Sequence, residues 1–184
     1  MLRRRDPIVR SASPCIGERE HSHQAAWGAV HVTVTATLEA MRDRLVGLLL
    51  DYTQWPRIFS ASIARTELVR REARSMVVMV HHRREGRVVN VLTDCGDGVV
   101  MLREFKRRYV ATFVNRFDPA PGGTRYTVDA AVRIKQPFTL IAPVLRGVVE
   151  RAIRRYTIEP LRAAAEGRIS PNPRQVQRTL GGGS

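Results

Sequence analysis

The stretch RVVNVLTDCGDGVVMLREF, residues 87–105, indicates the fold class of this chain of 184 residues. It contains two runs rich in apolar residues, 87–94 and 99–105, on either side of the connection Cys95-Gly96-Asp97-Gly98. Runs of this length bounded by turn residues are typical of β-strands, and glycines supply the positive φ angles that tight turns need. Parallel strands need a crossover of about a dozen residues, so this short connection predicts an antiparallel hairpin.

The same pattern continues on both sides of this hairpin. Further runs of the same character are joined by short connections, and they are residues 63–71, 74–83, 108–117 and 124–135. Near the start, valine alternates with histidine or threonine over residues 30–35, which is the period of a half-buried strand. The sequence therefore predicts seven strands in one antiparallel sheet.

An amphipathic helix is predicted after the first strand, over residues 38–50. Its apolar stripe begins at Leu38 and Met41 and continues through the leucines at 45, 48 and 49. Trp55-Pro56 ends this region because the residue before a proline avoids the helical conformation. A second, short helical turn is expected at residues 57–59.

The longest predicted helix covers residues 141–166. Its apolar stripe runs from Ile141 to Leu161 and includes Leu145, Val148, Val149, Ala152, Ile153 and Tyr156, opposite a face rich in arginine. Pro160 is expected to kink this helix near Tyr156 rather than end it, because residues 161–166 still favour a helix. Gly167 is the expected C-cap.

The two ends of the chain differ from the region between them. Residues 1–28 show neither the strand period nor the helix period in their apolar residues, and they are predicted to form a disordered arm. Residues 168–184 end in Gly-Gly-Gly-Ser and are predicted to form a flexible tail. Residues 29–167 are then one domain. No apolar run has the roughly 20 residues of a membrane span, and no hydrophobic stretch follows the first arginines, so a cytoplasmic location is expected.

The net charge of +14 raises the question of a polyanionic partner. Lys106 and Lys135 are the only lysines, and an arginine bias of this kind is typical of GC-rich genomes. The excess of positive charge is spread along the chain, and no nucleic-acid-binding motif accompanies it. We therefore expect no specific nucleic-acid binding, while peripheral contact with an anionic membrane stays open.

The order of elements predicts an α+β domain in which a curved seven-stranded antiparallel sheet wraps around the long C-terminal helix. One helix does not fill such a sheet, so an internal cavity is expected. This order resembles the helix-grip fold of the START-like SRPBCC superfamily, in particular its polyketide cyclase/dehydrase branch. The resemblance covers about residues 29–167 and is carried by residues 32–50, Asp51-Tyr52-Thr53-Gln54-Trp55-Pro56, Phe117-Asp118-Pro119, Gly122-Gly123-Thr124-Arg125 and residues 161–166.

The resemblance implies an apolar ligand, such as a lipid, a polyketide or a quinone-like molecule, held between the sheet and the long helix. Three hypotheses follow: a binding protein, a polyketide cyclase/dehydrase-like enzyme that moves protons through Tyr or His, and a basic module that docks on anionic lipid or RNA. The superfamily has no universal catalytic residue to carry over, so catalytic residues stay unknown. No cofactor is expected, and both a monomer and a homodimer are compatible with the sequence.

Aromatic and amide side chains are the candidates for the cavity lining, because they combine apolar area with groups that hold a polar end. The candidates are Trp55, Phe59, Tyr109, Phe113, Asn115 and Tyr126. For Trp55 and Phe59 the alternative is packing that fixes the junction of the short helices. For Asn115 the alternative is exposure on the convex face, and for Tyr126 only apolarity favours the inner face.

Histidines and charged residues elsewhere are weaker candidates. His81 and His82 are adjacent on a predicted strand, so their side chains point to opposite faces and only one can reach the cavity. The charged residues at 103–108 are expected to form a solvated hairpin. His21 and His23 have no third ligand nearby, and neither cysteine belongs to a C-x-x-C pair, so no metal site is predicted.

Overall fold

The computed structural model describes residues 28–134 and 142–169. The predicted arm and tail therefore lie outside the described residues, except for Gly28, Arg168 and Ile169. Lys135, at the end of the last predicted strand, and Ile141, at the start of the predicted helix, lie outside them as well.

Seven strands form one antiparallel sheet, as predicted. They are β1 (Gly28–Leu38), β2 (Ile63–Arg71), β3 (Ser75–His82), β4 (Gly86–Gly96), β5 (Val99–Phe105), β6 (Tyr109–Ala120) and β7 (Gly123–Ile134). Their order across the sheet is β1-β7-β6-β5-β4-β3-β2, so strands β2 to β7 follow one another as hairpins. The first strand pairs with the last, which places β1 and β2 at opposite edges.

Helix α1 (Arg42–Leu50), a 3₁₀ turn (Tyr52–Gln54) and α2 (Trp55–Ile58) connect β1 to β2. The predicted start of the first helix at Leu38 is wrong, because the ladder between β1 and β7 extends to the pair Leu38–Thr124. Met41, predicted in the apolar stripe, is 78% exposed. The buried stripe of α1 consists of Leu45 and Leu49.

The C-terminal helix has three segments: α3 (Ala142–Ile153), a π-helical turn (Arg154–Ile158) and α4 (Glu159–Ala165). Pro160 lies in the first turn of α4, so the prediction that it does not end the helix is confirmed, and a π-helical turn lies where the kink near Tyr156 was predicted. The wider π-helical turn brings Ile158, five residues after Ile153, to the buried side. Tyr156 and Val148 are exposed, so their predicted place in the apolar stripe is wrong.

Gly167 ends the C-terminal helix as predicted. Its φ of +73° lies in the left-handed region, and its backbone N–H donates to the carbonyl of Ala164 at 3.2 Å. The N–H of Arg168 donates to the carbonyl of Ala163 at 2.9 Å, which completes a Schellman motif.

The hydrophobic core lies between the concave face of the curved sheet and the helices. Helix α1 packs against α4 and against β5 and β6, whereas α3 packs most closely against the edge strand β1. The largest fully buried apolar side chains include those of Leu38, Leu45, Leu92, Ile158 and Leu161. The helix-grip architecture that the sequence predicted is thus confirmed.

Candidate functional site

The strand register shows which side chains share the inner, concave face. Two neighbouring rows cross the central strands from β7 to β4, and they are Ala130–Phe113–Leu102–Leu92 and Val132–Ala111–Glu104–Asn90. The first row is entirely apolar. The second ends in a carboxyl group and an amide, which is an unusual composition for an inner face.

Apolar side chains on the inner face of the central strands and on helix α3 are only partly covered by the rest of the protein. Leu102 and Phe113 on the sheet, and Leu145 and Val149 on α3, pack against the core but stay only half-buried. The close packing of α3 against β1 accounts for this, because it leaves the middle of the sheet less covered. Apolar surface that a small molecule can cover therefore remains on the sheet and on α3.

Four of the six predicted lining residues share the inner face. Tyr109, Phe113 and Asn115 alternate along β6, and Tyr126 pairs with Phe117 in the row beyond them. Asn115 is 2% exposed, so the prediction of an inner rather than a convex position is the correct alternative. Tyr126 is fully buried, and the face chosen for it is confirmed.

Asn115 and Tyr126 form a hydrogen-bonded pair in the protein interior. The Tyr126 hydroxyl donates to Asn115 Oδ1 at 2.7 Å, and Asn115 Nδ2 donates to the carbonyl of Val100 at 3.1 Å. The Tyr126 ring stacks on Phe117 with centroids 4.6 Å apart, and burial raises the pKa of Tyr126 well above its usual range. Most of the hydrogen-bonding capacity of this pair is therefore used within the protein.

Trp55 and Phe59 lie at the junction of the short helices. The Trp55 indole N–H donates to the carbonyl of Leu49 at the end of α1, at 3.0 Å. The two rings meet edge to face with centroids 6.1 Å apart, and both side chains are buried. These contacts fix α2 against α1, which is the alternative role that the sequence left open.

A group of polar side chains, most of them ionisable, was not recognised as one cluster from the sequence. This polar cluster consists of His82, Glu85, Asn90, Glu104, Lys106 and Tyr109, at the end of the strands near the β3–β4 and β5–β6 turns. Glu104 is its centre: one oxygen, Oε2, lies 3.3 Å from Lys106 Nζ and 3.5 Å from the Tyr109 hydroxyl, which donates to it. Lys106 also donates to Glu85 and lies over the Tyr109 ring.

The polar cluster corrects one prediction and confirms another. The side chains of Glu104 and Lys106 are only 12% and 13% exposed, so residues 103–108 are not simply a solvated charged hairpin. His82 lies on the inner face of β3, on the same side of the strand as Val78 and Val80. His81 lies on the outer face, with Nε2 3.3 Å from Glu67 Oε1. The two histidines thus point to opposite faces as predicted, and the alternation with buried valines was the available signal for His82.

Burial and neighbouring charges set the protonation states in the polar cluster. Burial, together with the Lys106 cation, lowers the pKa of His82, so its imidazole is neutral at pH 7. Burial alone would lower the pKa of Lys106, but Glu104 and the hydrogen bond to Glu85 raise it above its usual value. Burial and the charge of Glu104 raise the pKa of Tyr109 to about 12.

Two polar atoms of the cluster have no hydrogen-bond partner in the described part of the chain. They are Asn90 Oδ1 and His82 Nε2. Glu104 Oε1 lies 3.7 Å from His82 Nε2, which is too long for a hydrogen bond. Asn90 is 3% exposed and lies directly opposite Glu104 in the β4–β5 ladder.

A second concavity lies at the opposite end of strands β3 and β4. It is a surface pocket of about 470 Å³ between the end of α1 and the β2–β3 turn. Its walls mix both signs of charge and include Asp51, Tyr52, Arg71, Glu72, Arg74 and Asp94. This mixture gives the pocket no clear preference for one kind of ligand.

Metal-ligand clusters and membrane-spanning helices are absent from the described part of the chain. Over residues 28–134 and 142–169, no three His, Cys, Asp or Glu side chains are grouped so that they would hold a metal ion. In the same ranges, no helix combines the length and the apolar character needed to cross a bilayer.

Solved structures of other proteins share this fold. The Zhui aromatase/cyclase from Streptomyces sp. R1128 superposes with a TM-score of 0.62 at 16% identity, covering 77% of this chain and 96% of that one. A START superfamily protein from Mycobacterium smegmatis superposes with a TM-score of 0.56 at 17% identity, covering 76% and 96%. At these identities the likeness concerns the fold. No curated protein matches the chain in sequence.

The match in sequence is to a family model. The model described as polyketide cyclase/dehydrase and lipid transport matches residues 29–166, well over half of the chain. These residues include the whole described sheet except Gly28, together with all the described helices. The chain therefore belongs to the polyketide cyclase/dehydrase and lipid transport family.

Proposed function

We propose that the protein binds an apolar small molecule between the inner face of the sheet and helix α3. The observation that carries this proposal is the pair of incompletely covered surfaces, Leu102 and Phe113 on one side and Leu145 and Val149 on the other. Covering apolar area is worth about 25 cal/mol per Å², so a ligand in this space gains affinity from both walls.

The family and the structural neighbours support the same function. The family description joins polyketide cyclases and dehydrases with lipid transport, and the Zhui protein, which shares the fold, is an aromatase/cyclase. Lipids and polyketides share an extended apolar body. The binding space described above suits such a body, and the polar cluster lies on the same inner face of the sheet.

The test fills the space from the sheet side. Leu102→Trp adds bulk on the inner face of β5, and we expect it to weaken the uptake of the neutral fluorescent probe N-phenyl-1-naphthylamine by at least about tenfold, because the added ring occupies the ligand's volume. Met101→Trp is the matched control, since Met101 is the preceding residue, also half-buried, on the outer face. A folded Leu102→Trp protein that binds the probe as the wild type does would contradict the proposal.

A second candidate function, proton-transfer catalysis on the bound ligand, is favoured by the polar cluster. A neutral His82 is able to accept a proton from an acidic C–H bond next to a carbonyl group, and the nearby Glu104 carboxyl group would stabilise the resulting imidazolium. The test is hydrogen–deuterium exchange of 2-tetralone, followed by NMR. Exchange faster than in buffer, lost in His82→Gln, supports catalysis, whereas exchange at the buffer rate excludes it for this ketone.

A further inference from the structure

The cysteine near the end of strand β4, Cys95, takes part in a disulfide bond. Cys15 is the only other cysteine of the chain, so within one molecule it is the only available partner. We propose that residues 15–27 cross the outer face of the sheet, held by a Cys15–Cys95 disulfide at one end and by β1 at the other. This part of the predicted arm would then be ordered. The inference concerns the face opposite the proposed ligand and does not depend on ligand binding.

The segment is long enough for this path. The row of paired residues that contains Asp94 reaches β1 at Val34, six residues after Gly28. Cys95, next to Asp94, therefore lies roughly 20 Å along the strands and, four strands away, roughly 19 Å across them, which is about 28 Å from Gly28. Gly28 follows Cys15 by thirteen residues, and a chain of that length spans up to about 45 Å. The excess length covers the curvature of the sheet.

The outer face is the open route between these two points. Helix α1 packs against β5 and β6, α3 packs against β1, and the hydrophobic core fills the inner side. A segment on the inner side would have to displace these helices. The direct path to Cys95 therefore runs over the outer face.

The outer face also carries charges that complement the segment. Arg103 on β5 and Arg133 on β7 are on this face, because the residues that follow them in sequence lie on the inner face. Residues 15–21, Cys-Ile-Gly-Glu-Arg-Glu-His, contain Glu18 and Glu20, two of the three acidic residues of the predicted arm. Exposed ion pairs are weak singly, but two of them together favour a path of these carboxylates over the arginines.

Apolar contact near Cys95 adds to the charges. Thr93, two residues before Cys95, pairs with Met101 on β5, and Met101 pairs with Val114 on β6. Met101 and Val114 are half-buried on the outer face. Ile16 of the segment would cover part of their remaining surface, and the burial of apolar area stabilises the docked segment.

The first experiment measures the disulfide in the full chain at equilibrium. The protein is equilibrated with reduced and oxidised glutathione, so that the redox state of the expression host does not decide the result. Free thiols are then blocked, and tryptic peptides are identified by mass spectrometry. We expect peptide 11–19 joined to peptide 88–103. The effective concentration of the two thiols should be at least about tenfold higher in native buffer than in guanidinium, because docking brings the cysteines together.

Charge reversal in the segment tests its docking on the arginines. Glu18→Lys combined with Glu20→Lys should lower the effective concentration of the thiols by about threefold or more, because two attractive contacts become repulsive. Asp6→Lys is the matched control, since it reverses a charge on the other side of Cys15 and should leave the effective concentration at the wild-type value.

Nuclear Overhauser effects in the oxidised protein give the position of the segment. We expect contacts from the Ile16 methyl groups to the Met101 methyl group. Contacts to Leu50 would place the segment at the surface pocket instead of the outer face and overturn the inference. It is also overturned if the linked peptide does not form, if the effective concentration is the same in guanidinium, or if the charge reversal and its control behave alike.

Discussion

Replacing Tyr126 with Phe tests the buried hydrogen-bonded pair of Tyr126 and Asn115. The substitution removes one hydroxyl group and keeps the ring that stacks on Phe117. The hydroxyl donates to Asn115 Oδ1 at 2.7 Å, and both residues are almost completely buried. Asn115 Oδ1 therefore loses the donor that the structure provides, and solvent does not readily replace it.

The expected loss of stability follows from this burial. An unsatisfied buried acceptor costs about 1–3 kcal/mol, so we expect the free energy of unfolding to fall by about 2 kcal/mol. For a domain of this size, that corresponds to a Tm lower by roughly 6 °C. The loss of packing is small because the ring remains in place.

Urea and thermal unfolding followed by circular dichroism measure this difference. Tyr156→Phe is the matched control, because Tyr156 is exposed on the C-terminal helix and its variant should stay within about 0.5 kcal/mol of the wild type. A Tyr126→Phe protein as stable as the Tyr156→Phe protein would show that the Tyr126 hydroxyl is hydrated or that Asn115 has another donor.

Three further predictions concern the fold and its pH dependence. Gly123→Ala should lower the free energy of unfolding by about 3 kcal/mol or more in chemical denaturation, because the added Cβ would lie 2.1 Å from the Leu38 carbonyl oxygen. Gly122→Ala is the control: Gly122 has a φ of +78° but open space around it, so the loss should be only about 1 kcal/mol. Equal losses in the two variants would contradict this packing. Leu161→Asp places a carboxylate at a fully buried position and should lower stability by about 4 kcal/mol or more, so an unchanged Tm would place α4 outside the core. The pKa of His82 is lowered in the folded state, so the unfolded chain takes up the proton first and the stability of the wild type falls as the pH drops below about 6.5. His82→Gln should therefore lose less stability than the wild type between pH 7.5 and 5.5. The same pH dependence of unfolding in both proteins would refute the lowered pKa.

The strands and the hairpin pairing of β2 to β7 could be predicted from the sequence because the signals for them are local, whereas the pairing of β1 with β7 was not predicted. Short glycine-containing connections leave only antiparallel neighbours, and residues 63–71 and 99–105 are observed with the predicted bounds. The helix start was misplaced at Leu38 for a physical reason. Helical spacing of apolar residues does not show that the strand ladder includes Leu38, because its partner Thr124 lies far away in the chain.

The π-helical turn was also not predicted from the sequence. Pro160 marked the place where the helix changes, but the sequence does not show how the phase shifts there. The shift exposes Tyr156 and buries Ile158.

The candidate site was only partly predictable. The alternation along β6 placed Phe113 and Asn115 on one face, because that information is contained in the strand itself. The polar cluster was missed because His82 and Glu104 belong to different strands, β3 and β5, and only the register of the sheet brings them together. Four points stay predictions: a cytoplasmic location, contact with anionic membranes, the absence of specific nucleic-acid binding, and the oligomeric state.

The most direct measurement of the proposed binding is the position of the bound ligand. In NMR spectra of the protein saturated with 2-naphthol, we expect intermolecular nuclear Overhauser effects from the naphthalene ring to the methyl groups of both Leu102 on the sheet and Leu145 on helix α3. Such contacts to opposite walls are reached only from the space between them. Contacts confined to the exposed Val148, or to Leu50 at the surface pocket, would contradict the proposal that the ligand binds between sheet and helix.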